Sequence, residues 1–132
     1  MKALDTNILV RFFTGDDTVQ AHQVYQLFKQ IESEKTELYI PLLVVIETTW
    51  VLRSIYKFKR NLVLKVLEDL TLMPIFAFEN LSIIQSVVQE AKVTNFDLPD
   101  LLIAHCAKVS NIDSILTFDK KAAKHSMFEL VQ

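Results

Sequence analysis

Apolar residues along this chain alternate between two spacings, and the alternation outlines the fold. "KALD" at residues 2–5 has the length of a buried strand, and "NILVRFF" directly after it turns helical. In "DDTVQAHQVYQLFKQIES", Val19, His22, Val24, Leu27, Phe28 and Ile31 recur at about one helical period, with Asp16 or Asp17 placed to cap the start. "ELYI" predicts a second strand, stopped by Pro41. Residues 41–56 read as a helix too apolar to lie on a surface, and "NLVLKVLEDLTL" as another with Leu62, Val66 and Leu70 on one side. Pro74 ends that run. "PIFAFE" is a third strand, "NLSIIQSVVQEAKV" a capped helix, "LPDLLIAHCAKVS" a further apolar helix, "DSILTF" a fourth strand, "DKKAAKHS" a short helix and "FELV" an edge strand.

Strands separated by helices predict a mostly parallel sheet, because parallel neighbours need a crossover and a helix usually supplies it. The expectation is one α/β domain over residues 1–132, three-layered, with about five short strands flanked by helices. Composition agrees: 51% of residues are hydrophobic and a single glycine is present, which favours long regular elements over loops. The lone Cys106 excludes an internal disulfide and suits a reducing compartment. With no signal-peptide pattern after Met1-Lys2 and no apolar run near the roughly 20 residues that span a bilayer, a cytoplasmic protein without a membrane segment is expected.

Against this background four acids stand out. Glu47 is the only charged residue between Leu38 and Leu52, and an ionised carboxylate in apolar surroundings needs a partner. Arg11 and Arg53 are candidates, although Arg53 lies six residues further along the helix. Asp5 closes the first strand and Asp119 the fourth, where the loops of α/β sheets gather ligands. Asp100 falls in the first turn of its helix, just after Pro99. Capping is the alternative role for Asp5 and Asp119, and Asp97 is the natural N-cap before Asp100. Together, four carboxylates without Cys or paired His point to a hard cation, Mg²⁺ or Mn²⁺, and hence to phosphodiester hydrolysis. His105, Cys106 and Trp50 are expected in the core, with a dimer contact as the alternative for Trp50. Phe12, Phe13, Tyr25 and Phe28 are core candidates before they are a patch for a partner.

"ALDTNILVRF", Glu47 in its apolar helix, "FDLPDLLIA" and "ILTFDKKAA", in this order and over nearly the whole chain, resemble the PIN domain and specifically VapC-type toxins of prokaryotic toxin–antitoxin pairs. The resemblance implies a metal-dependent endoribonuclease with RNA as substrate, one or two Mg²⁺ or Mn²⁺ ions, a homodimer and a cognate antitoxin. It assigns catalytic and metal-binding roles to Asp5, Glu47, Asp100 and Asp119. It gives Thr6, Asn7 and Thr117 the task of orienting those acids, and makes Asp97 an auxiliary ligand or only a cap. Leu98-Pro99 departs from the family's more usual aromatic and small pair.

The formal charge of −2 fits a generic nucleic-acid binder poorly, but setting four cation-bound acids aside turns it to +2. Lys57, Lys59, Arg60, Lys120 and Lys121 are then candidates for the RNA backbone, with a solvated surface as the alternative. A receiver domain is disfavoured because the first strand offers one acid rather than two. A haloacid-dehalogenase-type phosphatase is disfavoured because Asn7 stands where a second aspartate is needed. A PIN scaffold that binds RNA or protein without cutting is the remaining alternative.

Overall fold

A computed structural model describes all residues 1–132. The chain forms two compact units, Met1–Leu81 and Ser82–Gln132. In the first unit, strands β1 (Lys2–Ala3), β2 (Leu38–Ile40) and β3 (Phe76–Phe78) alternate with helices α1 (Thr6–Thr14), α2 (Thr18–Glu34), α3 (Leu42–Ser54) and α4 (Arg60–Thr71). The strands pair in parallel in the order β1-β2-β3, with Ala3 opposite Tyr39 and Tyr39 opposite Ala77. The second unit carries helices α5 (Leu81–Val93) and α6 (Leu98–Val109), strands β4 (Ile115–Thr117) and β5 (Phe128–Leu130), and a 3-10 turn at Ala122–Lys124. β4 and β5 are parallel, with Ile115 opposite Phe128. The strands are five and all parallel, as the alternation implied, and they divide between a three-stranded and a two-stranded sheet.

The core of the first unit rests on Leu9, Leu38, Ile40, Val45, Leu52, Val63, Leu67 and Leu70, all essentially without solvent exposure. An aromatic chain runs from Phe13 through Phe12 and Phe28 to Phe76, with centroids 5.0, 4.9 and 5.4 Å apart. Edge-to-face and tilted rings at this range add to what burial alone contributes. In the second unit Ala104, Ala122 and Phe128 close a small core against Ile115 and Met127.

Several expectations change. β1 is shorter than "KALD" and its two residues are exposed, because it is an edge strand; burial begins at Leu4. The buried face of α2 is narrow, holding Val24 and Phe28 while Val19 and His22 face water. In α4, Leu62 is exposed and Val63, Leu64, Val66, Leu67 and Leu70 are buried. Helix α3 does lie on a surface: Val45, Thr48, Thr49 and Leu52 turn inward, whereas Leu43 is 73% and Trp50 56% exposed. Apolar content predicts that helix buried, but only four of its thirteen positions are fully buried. No helix is long and apolar enough to cross a membrane.

Helix ends are set by backbone conformation. Gly15 closes α1 in the left-handed region at φ 62°, donating its N–H to the Arg11 carbonyl, and Lys35 closes α2 at φ 55°. Nothing lies within 4 Å of a Cβ added at Gly15, so the cost of a side chain there is conformational alone. Gly15→Ala should therefore lower stability by about 1 kcal/mol, and Lys35→Gly should raise it by about 0.5–1 kcal/mol, both read from urea unfolding midpoints.

Candidate functional site

In the first unit the candidate acids meet at Thr6. Asp5 takes extended backbone geometry at the N-cap of α1, and its Oδ1 accepts the Thr6 N–H at 2.7 Å. The Thr6 side chain is buried, and its hydroxyl donates to Oε1 of Glu47. One residue thus positions both carboxylates, with its backbone for one and its side chain for the other. Glu47 itself is exposed, so it is not a charge stranded in the core. Neither arginine meets it. Arg53 donates to the Phe58 carbonyl at 2.9 Å, and Arg11 donates through Nε to Gln20 at 2.7 Å and through Nη1 to Tyr56 and Asp16. The buried hydroxyls beside Glu47 are satisfied within α3, Thr48 by the Val44 carbonyl at 2.7 Å and Thr49 by that of Val45 at 3.0 Å. Asn7 stands exposed on α1, while Lys57 and Lys59 are exposed between α3 and α4.

The second unit gathers three more carboxylates. Asp100 lies in the first turn of α6, started by Pro99, and is half-buried. Its pKa is raised, first by burial and then by the charges of Asp97 and Asp119, with Lys121 and His125 opposing. Asp97 sits at the N-cap position without a cap bond; its Oδ1 accepts instead from Nζ of Lys121 at 3.1 Å. Asp119 Oδ1 accepts the N–H groups of Lys121 at 2.8 Å and Ala122 at 3.2 Å, and its own N–H donates to Thr117 Oγ1 at 3.0 Å. Lys120 and Lys121 are exposed.

A second cluster in this unit has no counterpart in the sequence reading. Glu90 on α5 holds two imidazoles, His105 Nε2 at 2.7 Å and His125 Nε2 at 2.8 Å. The Met127 N–H donates to His125 Nδ1 at 3.0 Å, so in the neutral ring Nε2 carries the proton toward Glu90. Burial pushes the Glu90 carboxyl up, but the bonds and charges of the two histidines outweigh it and hold the pKa below the usual glutamate value. His105 is therefore a half-buried partner of a carboxylate rather than packed apolar core. The spacings of 15 and 35 residues from Glu90 match no motif, so only the fold reveals the pairing.

In neither unit do three Asp, Glu, His or Cys side chains stand close enough to enclose an ion. The chemistry of the donors nevertheless suits a hard cation. Asp5 and Glu47 in the first unit, and Asp100 and Asp119 in the second, offer oxygen alone, and Asp100 binds its proton more tightly first because of burial and then because of the charges of Asp97 and Asp119.

Comparison with known proteins gives two findings. The model of the PIN domain family matches residues 2–126. The chain is similar to a VapC ribonuclease of Aquifex aeolicus (strain VF5), with 25% identity over 124 residues, 94% of this chain and 91% of that protein.

The two perturbed acids should act on stability with opposite signs. Folding raises the Asp100 pKa, so its contribution is fully present below the unfolded value, near 3.8, and is lost as pH rises through the folded one. Asp100→Asn should melt above the parent at pH 7 in metal-free buffer, with the difference vanishing in acid. Folding lowers the Glu90 pKa, so its contribution is present above the unfolded value, near 4.5, and is lost as pH falls through the folded one. Glu90→Gln should melt below the parent at pH 7 and converge with it in acid. Differential scanning calorimetry across pH reads both.

Proposed function

The chain belongs to the PIN domain family, and from that premise we propose that it is a metal-dependent endoribonuclease of the VapC type, hydrolysing RNA phosphodiester bonds. The family match runs through both compact units, which supports taking residues 1–132 as one PIN domain. The observation that carries the proposal is the electrostatic state of Asp100. A half-buried carboxylate surrounded by two others gains from a cation, and the donor set available is oxygen only.

In this reading Asp5, Glu47, Asp100 and Asp119 hold one or two Mg²⁺ or Mn²⁺ ions. Such a cation supplies Lewis-acid polarisation of the phosphodiester and activation of water for in-line attack. The chain's own work is positioning. Thr6 fixes Asp5 and Glu47 together, Thr117 fixes the backbone at Asp119, and each aspartate capping a turn spends only Oδ1 on the fold. Asp97, paired with Lys121 at 3.1 Å, is in this reading an auxiliary ligand or only the cap of its helix. Lys57, Lys59, Arg60, Lys120 and Lys121 meet the RNA backbone. The similarity to a VapC ribonuclease supports the role of toxin in a type II toxin–antitoxin pair with a cognate antitoxin, and a homodimeric state and a cytoplasmic location belong to the same proposal.

The test is cleavage of total cellular RNA by the purified chain with Mg²⁺, with Mn²⁺ and with chelator, beside Asp5→Asn. Metal-dependent cleavage that falls by about 100-fold or more in the variant is expected, from the size of effects when one transition-state-stabilising group is lost. Equal cleavage by both proteins would remove these acids from the mechanism. A folded chain that retains RNA without cutting it would favour the binding scaffold.

A further inference from the structure

Between α1 and α2 the first unit holds an open cavity of about 350 Å³, lined by Asn7, Arg11, Gln20 and Gln23 with Val24 and Leu27 among its apolar walls. Its size lies at the lower end of small-ligand pockets, roughly 300–1,000 Å³. Arg11 is fixed there by three acceptors: Gln20 Oε1 at 2.7 Å, the Tyr56 hydroxyl at 3.3 Å and Asp16 Oδ1 at 3.4 Å. Asp16 is fixed in turn, accepting from the Tyr56 hydroxyl at 2.5 Å and from Thr14 at 2.9 Å.

This arrangement decides what the cavity suits. A phosphate needs net positive charge, but the one guanidinium here is offset by Asp16 in the same network. What remains is a neutral surface rich in hydrogen-bonding groups. The Gln20 carbonyl is spent on Arg11, which leaves its amino group to donate, and the Asn7 and Gln23 carboxamides each offer a donor and an acceptor. Paired donors and acceptors beside apolar walls match the edge and faces of a nucleobase, which carboxamides and guanidinium groups read by hydrogen bonding. Asn7 is two residues past Asp5, so the cavity begins within one helical turn of a proposed catalytic carboxylate.

We infer that this cavity is a base-recognition subsite that seats one unpaired nucleobase of the RNA, with Gln20 and Gln23 setting which base is preferred. The inference rests on the ribonuclease reading for the identity of the ligand. It makes the two glutamines specificity-determining residues rather than catalytic ones.

The test separates retention from cleavage. A random-sequence single-stranded RNA pool is equilibrated with the full chain carrying Asp5→Asn, and with the same chain carrying Gln20→Ala and Gln23→Ala as well; retained RNA is quantified and sequenced. Both glutamines are exposed, and circular dichroism verifies that the variant is folded. Expected is enrichment of one base at one position by about fivefold or more, the worth of one good hydrogen-bonded base contact, collapsing toward uniform in the glutamine variant while total retention changes by less than about twofold. Equal enrichment in both chains, absence of enrichment, or no retained RNA overturns the subsite. Cleavage by the parent chain is scored separately. Cleavage whose base preference ignores the glutamines would leave the ribonuclease standing and remove the subsite. Glutamine-dependent enrichment without cleavage would do the reverse.

Discussion

The first unit depends on one buried threonine. Thr6 lies where β1 ends and α1 begins, 4% exposed, with its N–H on Asp5 and its hydroxyl on Glu47. A hydroxyl buried at that junction needs an acceptor, and a carboxylate from α3 provides one. The same bond that satisfies the threonine also fixes α3 in rotation about its own axis. Once Glu47 faces Thr6, Val45, Thr48, Thr49 and Leu52 turn inward, and Leu43 and Trp50 are left on the outer side.

Unit two is organised by the complementary device. There a carboxylate is the acceptor at the centre and two imidazoles converge on it. Glu90 joins α5 to α6 through His105, and to the segment before β5 through His125, whose ring is 5% exposed and also accepts the Met127 N–H. A short sheet of two strands buries little by itself. A charge-assisted pair of hydrogen bonds across three segments makes up part of that deficit. It also keeps His125 near enough to Asp100 for its charge to oppose the pull of the surrounding carboxylates.

Much of this was legible in the residues. Strand and helix order and the parallel pairing follow from period and from the Pro and Asp positions. What failed to show was facing. Mean apolarity ranks elements by content, but burial depends on how many sides have a neighbour, so apolar content predicts α3 and β1 buried where the fold exposes them. The Glu90 pairing was invisible because its members are scattered and His occurs often in solvated positions. A charge suggests an opposite charge, which points to Arg11 and Arg53 as partners of Glu47. A neutral hydroxyl suffices because the glutamate is exposed enough to keep the rest of its hydration.

Capping and catalysis are usually weighed as rival explanations of an aspartate at a strand end. Here the geometry makes them compatible. Asp5 and Asp119 each use Oδ1 to accept backbone N–H groups, which fixes the carboxyl plane and leaves Oδ2 without a protein partner. A carboxylate held this way has already lost most of its rotational freedom, so ordering it around a cation costs less than ordering a free side chain. The backbone amides compete for only one of two oxygens. The turn chemistry that ends β1 and β4 thus leaves one oxygen of each acid open, so a capping role does not argue against ligation.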